Sequence, residues 1–281
     1  MSSRNCNFAL LVHGCDRYEL LFKGFEFFFN KYWDFNINCN LYFATEEKTV
    51  SINGFENIHS GKDEWADRLS LMLKETIAEK YVLYFQEDMW LTKKVNARFF
   101  SQLFELIITN NWQQIKLHSS DVYKTVATNT FIEGFNVAKL DNAKSDFLMS
   151  HQVTIWDKDF LISQLHKNEH PWRNERNGTK RLKKLNREIF QIDYFAENGK
   201  KETNENYNPI LRSEYQTVSV NGILSNNIEP FINELMKEDS EHKQYALKLE
   251  HNYKNKLTHD GNAKPKKVDI FKRAKNWIKG K

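Results

Sequence analysis

The stretch "YVLYFQEDMW" (residues 81–90) carries five aromatic and aliphatic side chains into Gln86-Glu87-Asp88, and greasy character resumes at Met89 and Trp90. Neighbouring residues of an extended segment point to opposite faces, so Glu87 and Asp88 are poorly placed to act as an acid–base pair on each other. One of them can ligate Mg2+ or Mn2+ while the other orients a ligand. Hard oxygen donors suit those cations, and a cation that keeps several waters also bridges phosphates. The competing reading is that both acids are solvated at the point where a strand reaches water.

These residues need a scaffold to position them. Residues 7–12, "NFALLV", read as a buried strand, and Leu21, Phe25, Phe28, Phe29 and Tyr32 then recur at helical spacing behind an Asp16 that suits an N-cap. Strands are expected at 38–45 and 57–60, a helix through Trp65, Leu69, Met72, Leu73 and Ile77, and a fourth strand at 81–85. A further helix follows with Phe99, Leu103, Leu106 and Ile107 inward, then a strand at 112–120, and a strand, turn and helix over 151–166. Near-continuous apolar strands alternating with helices predict an α/β fold, its mostly parallel sheet covered on both faces. Ligands of such sheets lie at the carboxyl ends of the strands, where Gln86–Asp88 and His13–Arg17 fall. Residues 167–210 are polar and Asn-rich and read as a long functional loop. Residues 228–256 read as helical and 259–265 as a linker.

Composition narrows the class. The chain has 281 residues, 40% of them hydrophobic and 14% aromatic, which is enough for a substantial core. It contains no apolar run of membrane-spanning length. Three cysteines without a CxxC spacing fit a reducing cytoplasm and indicate neither disulfides nor zinc. Of the net +4, residues 264–281 hold +7 (eight Lys or Arg, one Asp), which leaves −3 for the remainder. Ile270, Phe271, Ala274, Trp277 and Ile278 share one helical face of this tail. A basic helix with interleaved aromatics suits an anionic membrane surface better than nucleic acid, and no nucleic-acid partner is expected.

Three segments, "LLVHGCDRYELLFKGFEFFFNKYW", "DEWADRLSLMLKETIAEKYVLYFQEDMWL" and "SHQVTIWDKDFLISQLHKNEHPWRNE", occur in an order that resembles GT-A-fold glycosyltransferases of bacterial lipopolysaccharide and capsule biosynthesis. The likeness lies in the QED strand end, in Gln152, Ile155 and Trp156, and in Pro171, Trp172 and Glu175; His170 stands where that pattern has Asn. It covers roughly residues 7–225. It implies a GT-A, Rossmann-like domain over 1–227, a helical segment over 228–258, and a linker with basic tail over 259–281.

The resemblance also implies roles. Asp88 corresponds to the acid that binds the donor's metal, Mn2+ or Mg2+, with Glu87 near the sugar or ribose. Gln86 replaces a carboxylate, so a metal-independent enzyme is also compatible. His13 and Asp16 would line the nucleotide, and Arg68 would balance the diphosphate. Glu175 is the expected general base and Asp157 the second candidate, although Asp157 equally suits a helix cap. Trp156 and Trp172 would stack on the acceptor sugar. The basic run Arg173 to Lys184 would close over the leaving diphosphate or simply face solvent. The expected partners are a nucleotide-diphosphate sugar, a glycan or lipid-linked glycan acceptor, and a membrane met by residues 264–281. The expected location is the cytoplasm, peripheral on the inner face of the cytoplasmic membrane. Two alternatives stand: a nucleotidyltransferase, disfavoured because "VHGCDRYE" is not a glycine-rich phosphate loop, and an inactive sugar- or nucleic-acid-binding protein acting through its tail.

Overall fold

The computed structural model describes residues 6–201 and 208–264. The wholly buried strand β1 (Phe8–His13) leads through a 3-10 segment, Asp16–Leu21, into α1 (Phe22–Tyr32). β2 (Asn40–Thr45), β3 (Glu56–His59), α2 (Trp65–Glu75), β4 (Tyr81–Phe85) and β5 (Met89–Leu91) follow. α3 (Ala97–Asn110) starts at Asn96, whose side chain accepts from the Arg98 and Phe99 amides, and stops at Asn111 in the left-handed conformation. Next come β6 (Gln114–His118) and the short strands β7 (Thr125–Val126), β8 (Phe131–Ile132), β9 (Phe135–Asn136) and β10 (Ala138–Leu140). β11 (Thr154–Asp157), α4 (Lys158–Gln164), α5 (Pro171–Leu185), β12 (Phe190–Glu197) and β13 (Ser213–Thr217) complete this part of the chain.

The sheet order is β3-β2-β1-β4-β11-β6-β12-β10-β7, with β13 beside β12 and β5. β1 to β4 are mutually parallel. β11 is antiparallel to both its neighbours, β4 and β6, so β6 runs the same way as β4, and β12 is parallel to β6. The chain therefore has an α/β architecture with a mostly parallel central sheet.

Helices cover both faces. On one, Ala9, Leu11, Val82, Tyr84 and Trp156 share a core with Leu69, Met72 and Leu73 of α2 and with Phe160 and Leu161 of α4. The other is rich in phenylalanine. Phe8 stacks on Phe104 of α3 with ring centroids 3.7 Å apart, Phe43 meets Phe22 and Phe25 of α1, and Tyr194 stacks on Phe99 at 3.8 Å. Alternation along each strand divides the two sets, and burying both faces accounts for the unbroken apolar strands.

The expected loop at 167–210 holds a fifteen-residue helix, α5, and a central strand, β12. The inward side of α5 is Asn174, Gly178, Thr179 and Leu182, which has almost no apolar period to detect. Contacts divide the described residues into two compact units, with the boundary between Val218 and Ser219. The second unit contains the hairpin β14 (Ser219–Val220) and β15 (Ile223–Leu224), then α6 (Glu229–Leu235) and α7 (Ser240–Lys254). Its end is not a plain linker: Leu257 bridges Ala263, and buried His259 hydrogen-bonds Ser219 Oγ at 2.7 Å.

Candidate functional site

β4 lies on one side of β1 and β2 on the other, so the strand order reverses at β1/β4, the place where open α/β sheets bind ligands. β1 delivers His13 and Gly14 to that edge, and β4 delivers Gln86, Glu87 and Asp88. Three bonds hold the acidic turn. Met89 N donates to Gln86 O (3.1 Å), the Trp90 indole to Glu87 O (3.0 Å), and Val218 N to Asp88 O (2.9 Å). Glu87 is only 4% exposed. Burial and the adjacent Asp88 push its carboxyl well above the usual range, opposed by the Cys15 backbone amide. Asp88 is raised as well, by burial and by Glu197, and its Oδ1 is buried without a hydrogen-bond partner.

A second group of polar residues adjoins these acids. Glu175 projects from α5 and its Oε1 accepts from the His151 backbone amide at 3.0 Å. Burial raises its pKa, while that amide and the Lys116 ammonium lower it. Lys116 is wholly buried in the middle of β6, and its Nζ donates to Ser150 Oγ at 2.9 Å. Tyr123 OH lies 3.2 Å from Ser150 Oγ and 2.8 Å from His118 Nε2. Burial pulls Lys116 down to about 7 against the attraction of Glu175. It also holds His13, His118 and His151 down to about 3, with Arg68 adding to the effect at His13 and Lys116 at the other two. These imidazoles are neutral. His13 Nδ1 lies 3.2 Å from Tyr84 OH, and the Nε2 atoms of His13 and His151 have no hydrogen-bond partner.

Glu197, the last residue of β12, completes the acidic set and was not anticipated from the sequence. Burial lifts it to about 7, with Glu175 adding to the rise and Lys200 opposing it. Glu175 and Asp88 both interact with it electrostatically, so the carboxylates converge on one region. The available signal was "FQIDYFAE", an apolar run that ends on an acid as "YVLYFQED" does. It was hidden by the polar sequence around it.

Several expected site residues take other roles. Asp16 is half-buried and is not an N-cap. Its Oδ1 accepts from Glu46 N (2.8 Å) and its Oδ2 from Glu47 N (3.0 Å) and Lys48 N (3.1 Å), which ties the loops after β1 and β2 together. Arg68 is buried and pairs with Glu46 (3.0 Å), Ser60 Oγ and Gly61 O (both 3.1 Å); its charge acts on His13 and Tyr84 from behind the loops. Asp157 caps α4, accepting from Phe160 N at 3.0 Å, and pairs in register with Tyr81 at the start of β4. Because β11 runs antiparallel, its final residue lies at the sheet edge opposite the acids, which removes Asp157 as a base. Trp156 is 1% exposed and belongs to the core, not to an acceptor surface. Trp172 is 61% exposed and one helical turn from Glu175. Gln86 is half-buried. His170 caps α5, its Nδ1 accepting from Arg173 N at 3.3 Å, a task an Asn oxygen also performs. Gln152 accepts from Tyr215 OH at 2.8 Å. Of the basic tail, residues 265–281 lie outside the described residues.

Among the described residues no group of three or more His, Cys, Asp or Glu is disposed to hold a metal ion. The orphaned, buried Asp88 Oδ1 does fit a cation held by one carboxylate and completed by phosphate oxygens and water, as Mg2+ commonly is. Among the described residues no helix is long and apolar enough to cross a membrane.

No family profile and no curated protein matches the chain. Among solved structures it is similar to S. aureus TarS 1–349 (10% identity, TM-score 0.46, covering 89% of this chain and 71% of that one). It is also similar to TarS 1–349 in complex with UDP (12% identity, TM-score 0.47, covering 97% and 78%). Against a longer TarS chain (11% identity, TM-score 0.46, covering 88% of this chain) it spans 43% of the length. A likeness of this degree assigns neither substrate nor reaction to this chain.

Proposed function

We propose that the protein transfers a sugar from a nucleotide-diphosphate donor to a hydroxyl of a glycan acceptor. The observation that carries this reading is the orphaned carboxylate oxygen of Asp88 at the sheet's switch point, in one electrostatic region with Glu87, Glu175 and Glu197. The nucleotide would lie over the β1 and β4 ends, with the diphosphate at Asp88. Asp88 would hold a divalent cation, and that cation, when bound, offsets the charge of the diphosphate. Glu175 takes the proton of the acceptor hydroxyl as its oxygen bonds to the anomeric carbon and the carbon–oxygen bond to the diphosphate breaks. Lys116 favours the charged form of Glu175 that this step needs. Trp172 offers the acceptor ring a stacking surface one turn away. The resemblance to lipopolysaccharide and capsule enzymes favours a surface-polysaccharide acceptor, with residues 264–281 at an anionic membrane.

Thermal shift with UDP-, GDP- and dTDP-sugars, with and without Mn2+, tests this. One donor should raise the melting temperature, and more so with Mn2+. Asp88→Asn should abolish the Mn2+-dependent part. Glu175→Gln should keep donor binding and lower kcat by about 10²–10⁴-fold. If no nucleotide sugar shifts the transition, the reading fails, and a sugar- or nucleic-acid-binding protein acting through the tail takes its place.

A further inference from the structure

The outer side of α5 carries a charge arrangement that the helix itself does not favour. Arg173, Arg176, Lys180, Lys183 and Lys184 are all exposed. At about 100° per residue they fall within roughly 100° of arc. Their spacings, 173/176, 176/180, 180/183 and 180/184, are those at which like charges on a helix repel. Arg173 stands in the first turn, where the helix dipole disfavours cations, and that turn contains no acid to offset it. Among the described residues none of the five pairs with a carboxylate. Arg173 donates to Asn168 O (3.1 Å) and Lys183 lies 3.4 Å from Ala143 O, both backbone carbonyls. The sixth cation, Arg181, turns away from this arc and is neutralised by Glu169 at 2.9 Å. The chain thus satisfies the inward cation and leaves five outward ones to repel each other.

Trp172 stands at one margin of the arc, between the cations and Glu175. The inward side of α5 is consumed by packing through Gly178, Thr179 and Leu182, and the exposed apolar residues of the helix, Trp172 and Leu185, stand at opposite ends of it, so the cationic arc has no continuous apolar face to insert into lipid. The surface suits an extended, water-soluble row of phosphates. We propose that the cationic face of α5 seats a phosphate-bearing glycan acceptor, whose sugar end lies at Trp172 and Glu175. The acceptor role rests on the transfer reaction proposed above; the anion binding does not.

The test uses the full chain and inorganic polyphosphate as probe, with binding read by tryptophan fluorescence over a salt series. Wild type should bind, and Arg173→Gln/Arg176→Gln/Lys180→Gln should weaken binding at least tenfold and flatten the log–log salt slope by about 2, near 0.7 per cation removed. The basic tail is common to both proteins, so the difference belongs to α5. Trp172→Phe should remove most of the fluorescence change. Asp88→Asn should bind polyphosphate as wild type does, and the triple variant should keep the nucleotide-sugar thermal shift, which separates this proposal from the transferase reading. Equal binding by wild type and triple variant overturns the proposal. So does a triple variant that loses phosphatidylglycerol-vesicle or single-stranded DNA binding while keeping polyphosphate binding, because the face then serves a membrane or a nucleic acid.

Discussion

Lys116 shows how a single residue shapes this site. A wholly buried ammonium is unfavourable unless something compensates it, and here the compensation is Ser150 Oγ together with the Glu175 charge. Removing the ammonium removes a stabiliser of the Glu175 carboxylate, so the base should become available only at higher pH. Lys116→Met is expected to move the acidic limb of the kcat/KM profile up by about one unit, with Lys116→Arg restoring part of the shift. An unmoved limb would separate the two residues. At residue scale the end of an apolar strand marked Glu87 and Asp88 as candidates, whereas Glu175 was named only through the family resemblance, because the helix that carries it shows no apolar period. Lys116 was not legible: a lysine between Ile115 and Leu117 reads as the solvent side of a half-exposed strand, and only the sheet's two covered faces put it inside.

The acidic turn depends on elements far from it in sequence. Trp90 donates to Glu87 O while its ring lies against α1, stacked with Phe28 at 5.5 Å between centroids. α1 accommodates that ring only because residue 24 is glycine; a Cβ there would sit 2.0 Å from the Trp90 ring. Gly24→Ala is therefore expected to cost about 1–3 kcal/mol by overpacking and to weaken donor binding by displacing the turn. Gly24→Ala/Trp90→Phe should recover part of the stability but not the bond to Glu87 O, so a double-mutant cycle by denaturant unfolding distinguishes packing from positioning. The first four strands and α1 to α4 were legible from apolar periodicity. α5 was not, because Asn174, Gly178 and Thr179 on its inner side let it pack close to Leu148 and Met149, where an apolar stripe would need more room.

For the whole molecule, buried titratable groups set a pH profile of stability. Glu197, at about 7 in the fold, binds a proton between its ordinary value and 7 that the unfolded chain has released. In that window stability falls as pH rises. The buried histidines act in the opposite sense: between about 3 and 6.5 the unfolded chain holds their protons and the fold does not, so stability rises with pH there. Glu197→Gln should therefore match wild type near pH 4.5 and melt a few degrees higher near pH 7.5, and calorimetry at the two pH values decides it. An acid kept at a site despite such a cost is in keeping with a functional role. The mostly parallel architecture was legible in the alternation of elements, but the reversal of β11 was not, since a strand's direction leaves no mark in its composition. That one reversal has a genetic consequence. β6 ends and β11 begins at the ligand edge, so residues 119–153 leave from the site and return to it, adding β10 and β7 to the sheet beyond β12 on the way. Insertions or exchanges in the turns of that excursion that leave β7 and β10 in place can therefore remodel the ligand edge while β6 and β11 keep their register, which makes those turns the place to cut a chimera.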